Sequence, residues 1–311
     1  MASTRLPEIR NDPSKIQLER ISHVLFDHPD LDVFDKFASD FGFIKVEHND
    51  EDIAIYRGYG KDQYCYVAHK STSGEPQFRG AAFLAQTRAD FDKAAVMDGA
   101  EVTSLSHFPG GGQRVTVQSP SGFPLHIVYG KFHRFHSGPA LVHKLGHYGF
   151  VVANWDEETR WYTGKFNLVP SDVQFDPSNE DLDVITFLHL DLGQRYTDHH
   201  TLFVSRAQPG EHDRMHHTSY EVEDFDTQIL GHDWLADKGY KSVWGVGRHI
   251  LGSQIFDYWR DTSGFTIEHY ADGDVVNADT GMQRSVAGPF AVWGPEMNGT
   301  MSEDGTRPTA A

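Results

Sequence analysis

A chain of 311 residues is long enough for two domains of roughly 130 to 150 residues, each able to bury its own core. Its 27 Lys and Arg stand against 45 Asp and Glu, a net charge of −18, which leaves no basic footprint for nucleic acid or an anionic membrane surface. The single cysteine, Cys65, excludes an intrachain disulfide framework and a cysteine-rich metal cluster. No apolar run approaches the roughly 18 residues of a membrane span, and MASTRLPEIRNDPSK lacks an apolar signal core, so a reducing, cytoplasmic location is expected.

In chain order, ISHVLFDHPDLDVFDKFASDFGF (21–43) reads as a His-bearing strand, an acidic cap and an amphipathic helix. A second helix follows at RADFDKAAVMDG (88–99), and PSGFPLHIVYG (120–130) is a turn leading into an alternating strand. The strand–cap–helix pattern returns in LGHYGFVVANWDEETRWYTGKFNL (145–168), a fourth helix is expected in DFDTQILGHDWLADKG (224–239), and TSGFTIEHYADG (262–273) repeats the Ser-Gly-Phe turn and strand. A strand, a helix and about three strands thus recur four times, near 20–68, 77–130, 145–205 and 213–270. The fold class is α+β: four βαβββ modules forming two domains, at 1–140 and 141–275, with a polar, Gly-rich tail at 276–311.

Strand alternation assigns the polar residues to faces. In GHYGFVV, Tyr148, Phe150 and Val152 form the packed set, so His147 points the other way. In MHHTSYEV, Tyr220 and Val222 are in phase with His216, which leaves His217 on the opposite face. In GFTIEHY, Phe265 and Ile267 pack and Glu268 points away. Two imidazoles and a carboxylate are the ligand set of a non-haem Fe(II) facial triad, which leaves about three coordination positions for substrate and oxygen. Among 19 His, a single one is more often hydrogen-bonded than ligating, and it is the three together on repeated strands that point to a metal. Trp155, Trp161, Trp234, Trp259 and Phe203 read as core.

The stretch Gly247, His249, Tyr258, Asp261, Gly264 and Glu268 resembles the C-terminal pattern of type I extradiol ring-cleavage dioxygenases of the vicinal oxygen chelate superfamily. Asp257 departs from it where an apolar residue is usual, and Thr262 where Pro is usual. The resemblance covers most of residues 15 to 275 and implies four βαβββ modules, two per domain. It implies His147, His217 and Glu268 as ligands of Fe(II), a set that Mn(II) also uses. YTDHHTLFV resembles the strand carrying the family's acid/base histidine, matched to His199 in preference to His200, while His249 and Tyr258 match the groups that hold the substrate hydroxyls. In the first half, His23 and His126 correspond to His147 and Glu268, but Gly80 stands where His217 would, so no metal is expected there.

The implied reaction is extradiol cleavage of a catechol by O2, with His199 moving a proton as the ring opens. Alternatives of the same superfamily are a glyoxalase- or hydroquinone-dioxygenase-like enzyme and a non-catalytic binding module. A small aromatic diol and O2 are the expected partners, with no nucleic acid and no membrane, and a homo-oligomer is implied by the resemblance. Members acting on carboxylated catechols carry an Arg five residues before the His matched by His249. Here that residue is Trp244, so neutral catechols are expected, with Arg248, Arg160, Arg195 and Arg284 as the cations that could overturn this.

Overall fold

The computed structural model describes residues 5–58, 62–130 and 142–297. The expected boundary at 140/141 lies outside the described residues. The first half contains β1 (Leu18–His28), α1 (Leu31–Phe41), β2 (Ile44–Val46), β3 (Ile53–Arg57) and β4 (Tyr66–Lys70). A second unit follows as β5 (Gln77–Ala85), α2 (Arg88–Ala95), β6 (Glu101–Ser104), β7 (Gln113–Gln118) and β8 (Pro124–Tyr129). The second half runs β9 (Lys144–Val152), α3 (Trp155–Lys165), β10 (Leu168–Asp176), β11 (Asn179–Leu190), β12 (Thr197–Asp198) and β13 (Leu202–Arg206). It continues β14 (Arg214–Glu221), α4 (Phe225–Asp237), β15 (Ser242–His249), β16 (Ile255–Arg260) and β17 (Thr266–Ala271). The short strands β18 (Val275–Val276), β19 (Gln283–Val286) and β20 (Ala291–Trp293) close the described chain. The βαβββ unit therefore recurs four times, as the sequence predicts.

Three of the four helices among the described residues, α1, α2 and α4, begin where an acidic or hydroxyl cap stands. Asp30 accepts from the amides of Asp32 and Val33, Thr87 from Asp90, and Asp224 from Thr227. α1 buries Phe34, Phe37, Ala38 and Phe41, spaced as one helical face, and stops at Gly42, whose φ of 105° is a left-handed conformation open to glycine.

Each half folds into one sheet. The first has the order β2-β3-β4-β1-β5-β8-β7-β6, the second β19-β10-β11-β13-β9-β14-β17-β16-β15-β20. The tail is more structured than expected: β19 pairs with β10 and β20 with β15, extending the second sheet at both edges. One apolar core runs between the halves, with Phe123 stacked on Phe150 at 4.9 Å and Phe26 against Phe265 at 4.5 Å. Buried polar bonds join the halves as well. The His28 ring reaches Ser263 Oγ at 2.6 Å, and His269 Nε2 donates to the Phe41 carbonyl at 2.7 Å.

The registers of the two sheets are equivalent. In the first, His23 lies opposite Ala82, and Ala82 opposite His126. In the second, His147 lies opposite Ser219, and Ser219 opposite Glu268. Two residues before Ala82 stands Gly80; two before Ser219 stands His217. The corresponding faces are filled differently. In the first sheet, Leu25, Ile55, Val67, Leu84 and Val128 pack with Tyr64 and Phe108 into a second apolar cluster. His126 engages both ring nitrogens, with Thr116 Oγ1 and the Arg79 carbonyl, each at 2.9 Å. In the second sheet the same face borders a cavity of about 130 Å³.

Candidate metal centre

Three adjacent strands bring His147 (β9), His217 (β14) and Glu268 (β17) to one face of the second sheet. Ser219 separates His147 from Glu268 in the cross-strand row. Neighbouring strands lie about 4.8 Å apart, so this small residue lets the two longer side chains lean together over it. His147 Nε2 is 3.0 Å from His217 Nε2 and 3.3 Å from Glu268 Oε2, which is 3.5 Å from His217 Nε2. All three are buried.

The donor set fits a divalent metal. Neither carboxylate oxygen of Glu268 has a hydrogen bond among the described residues, although the side chain is wholly buried. A buried carboxylate without donors is costly, and a cation at the common focus of three donor atoms would relieve it. Burial pushes the Glu268 carboxyl up, but the imidazoles of His147, His249 and His217 more than reverse this and hold it below the usual carboxylate range. Burial, reinforced by His216, holds His217 far below the usual imidazole value, so its lone pair is free for a metal.

Glycine shapes the site at one position. A Cβ at Gly149 would collide with the ring of Phe203, which lies opposite it in the β9–β13 pair, so the His-Tyr-Gly spacing is what admits this aromatic wall. A second irregularity corrects the alternation expected for β14. The register slips between Met215 and His217, so His216 does not share the packed face of Tyr220 and lines the cavity beside His217, with the two Nδ1 atoms 2.6 Å apart.

Tyr258 pairs across β16–β17 with Glu268, and Trp244 pairs with Tyr258, so one row runs from His147 through Ser219, Glu268 and Tyr258 to Trp244. His249 Nε2 is 2.8 Å from the Tyr258 hydroxyl and 3.8 Å from Glu268 Oε1. Burial and the Glu268 charge push the Tyr258 phenol well above its ordinary value, so it stays a donor. The Trp244 indole donates to the Pro295 carbonyl at 2.7 Å.

The adjacent histidines 199 and 200 divide differently from the sequence expectation. His199 does not border the cavity: its Nε2 meets Asp172 Oδ2 at 2.7 Å and its Nδ1 meets His200 Nδ1 at 3.2 Å. His200 lines the cavity, its ring centroid 4.1 Å from that of His147. Both lie in the turn between β12 and β13, outside the strand alternation, and nothing in YTDHHTLFV says which one faces the metal. Burial, then His147 and His199, hold His200 well below the usual imidazole value.

Two aromatics expected in the core lie elsewhere: Phe203 walls the cavity, and Trp234 is 50% exposed. Asp257, unusual for its position, is buried against His232 Nδ1 at 2.9 Å and accepts from Trp259 Nε1 at 2.7 Å, so the departure is answered by a histidine on α4. Among the described residues, neither Lys nor Arg lines the cavity. Arg248 turns away to Asp272 and Ser253, and Arg284 to Asp183.

The chain has the vicinal oxygen chelate fold, with two histidines and a glutamate converging in its second half. Residues 144–269 match the family model of the Glyoxalase/Bleomycin resistance protein/Dioxygenase superfamily. Over 121 residues the chain is 36% identical to metapyrocatechase 2 of Cupriavidus necator, a stretch that spans 37% of this chain and 35% of that protein. A Mn(II)-bound glyoxalase from Novosphingobium aromaticivorans superposes with a TM-score of 0.78 at 21% identity, covering 95% of this chain and 96% of the other. Homoprotocatechuate 2,3-dioxygenase from Brevibacterium fuscum, in complex with 3,4-dihydroxyphenylacetate, gives 0.77 at 19%, covering 93% of each. In sequence the matched stretch resembles a metapyrocatechase, and in fold the chain resembles a glyoxalase and a ring-cleavage dioxygenase alike. No helix among the described residues is long and apolar enough to cross a membrane.

Proposed function

We propose that the protein is an extradiol dioxygenase that opens an uncharged catechol with O2. The observation that carries this reading is the convergence of His147, His217 and Glu268 beside a cavity that His147, His217, His249, Tyr258 and His200 line. The three residues would hold Fe(II), with Mn(II) served by the same donors. A divalent metal there lowers the pKa of a catechol hydroxyl and brings diol and O2 together.

The chain's own residues do the rest. Tyr258 donates its phenol proton to His249 Nε2, so the Tyr258 oxygen, held in place by that bond, is left to accept from a hydroxyl of the diol. His200, neutral and beside His147, moves a proton as the ring opens, a role that passes to it from His199. With Asp172 Oδ2 accepting a hydrogen bond from His199 Nε2–H, His199 Nδ1 accepts from His200 Nδ1–H and leaves His200 Nε2 as its basic atom. Trp244 and the absence of cations in the described lining favour neutral substrates over carboxylated ones.

In this reading residues 1–140 are a scaffold half without metal, 141–275 the catalytic half and 276–311 a tail whose Pro289, Phe290 and Met297 line the cavity, in a cytoplasmic homo-oligomer. The test is anaerobic loading with Fe(II) or Mn(II), then O2 uptake and ring-opened product measured with methylcatechols, 2,3-dihydroxybiphenyl, homoprotocatechuate and protocatechuate. Uptake matching ring-opened product supports the reading. Tenfold better kcat/KM for a carboxylated compound overturns its substrate clause, and no product from any catechol overturns the whole.

A further inference from the structure

The wall of the cavity formed by β10, β11 and β13 carries a polar group that the ring-cleavage chemistry does not use. Gln174 lies opposite Ile185, and Ile185 opposite Ser205, in one cross-strand row, and all three line the cavity. The next row on the same face holds Phe187, Phe203, Gly149 and His217. The Phe187–Phe203 pair, 5.4 Å between centroids, thus shares the row of the ligand His217, and the glutamine row lies about 7 Å from it along the strands at two residues' rise. Gln174 is 5% exposed, and its Oε1 is buried without a hydrogen-bond partner. A leucine there would avoid the cost of an unpaired buried amide, so the presence of Gln174 beside Ile185, Phe187 and Phe203 calls for a ligand.

We infer that Gln174 recognises a neutral hydrogen-bond donor, a hydroxyl or an amide N–H, on the substituent of the substrate. The inference rests on the ring-cleavage reading and narrows its substrate class: an aromatic diol whose ring lies against Phe187 and Phe203 and whose side chain ends in a donor at Gln174 Oε1. Ser205, in the same row, gives that end of the cavity a second polar contact.

The experiment compares matched pairs, 3- and 4-(hydroxymethyl)catechol against 3- and 4-ethylcatechol, in the metal-loaded wild type and in Gln174→Leu, together with thermal unfolding of both proteins without substrate. In the wild type, kcat/KM for the hydroxymethyl member of at least one pair should exceed its ethyl partner about tenfold or more, and Gln174→Leu should erase that ratio while retaining cleavage of the ethyl compounds. The ligand-free variant should unfold at the same or a higher temperature, since it loses an unpaired polar group. No preference in the wild type, a preference that survives in Gln174→Leu, or a Tm lowered by several degrees each overturns the inference while ring cleavage stands. Failure to cleave any of the four catechols overturns the ring-cleavage reading and this inference with it.

Discussion

The Phe290 carbonyl lies 3.1 Å from Nδ1 of His249, and because a carbonyl only accepts, that nitrogen carries the proton. The tail therefore fixes the tautomer of a residue in the site: Nε2 of His249 keeps its lone pair and accepts the Tyr258 hydroxyl at 2.8 Å. Pro289, Phe290 and Met297 line the same cavity. Ending the chain after Gly288 should lower kcat/KM for methylcatechols by about a hundredfold while the metal stays bound, because the ligands are untouched and the orientation of His249 is lost. Metal analysis beside O2 uptake checks this, and undiminished kcat/KM would remove the tail from the site.

His217→Ala and Glu268→Ala should each abolish metal binding, measured after loading and desalting, because two donors of a buried triad cannot compensate for the third. His23→Ala should retain about one metal per chain, since His23 packs against Tyr64 at 4.6 Å and its row continues to an already engaged His126. Metal lost from His23→Ala and kept by His217→Ala would reverse the assignment of the two halves.

For proton movement the informative pair is His200→Asn against His199→Asn. The first should leave metal content and anaerobic catechol affinity within a few-fold of wild type and slow ring opening by about 10²–10⁴, the usual worth of a positioned acid or base. His199→Asn should cost about tenfold, because His199 acts through the orientation of His200. Single-turnover kinetics separate the two, and equal effects or a larger loss at His199 would take the proton-moving role away from His200.

Stability should fall on mild acidification. Burial holds His28 down to about 3, and His126 and His189 to about 4, against 6.5 for an exposed imidazole. Below pH 6.5 the unfolded chain takes up protons that the native state refuses. The stabilisation is thus whole above pH 6.5 and lost toward pH 4, at up to about 1.4 kcal/mol per pH unit for each group. Asp261 opposes them: burial pushes its carboxyl up to about 7, so its contribution is whole below pH 3.8 and is lost as pH rises through about 7. Three histidines outweigh one aspartate, and urea midpoints should drop from pH 7 to pH 5. Asp261→Asn, which keeps the acceptor for the Ser263 and Phe265 amides, should gain on wild type as pH rises from about 4 to about 7, the gain being complete above that. A midpoint unchanged between pH 7 and 5 would contradict the burial of these rings as neutral groups.

Much of this protein is local in origin, and local information is what a sequence carries openly. Caps at Asp30, Thr87 and Asp224, the helical spacing of Phe34, Phe37 and Phe41, and the period-two alternation around His147 and Glu268 each depend on a few neighbours, so the four βαβββ units and the three donor residues are legible from the chain alone. The match of Gly80 to His217 is legible too, since it needs only the repeat to be counted.

What the tertiary structure decided are choices between neighbours and partners distant in the chain. His199 or His200 faces the centre according to how β13 enters the sheet, and His216 joins the cavity because β14 slips its register against β9. Asp257 is tolerated because α4 sets His232 against it, and the tail enters the site because β20 pairs with β15. Each depends on backbone pairing between segments far apart in sequence, whose register is fixed by which faces the whole sheet buries, and no window of residues contains that information.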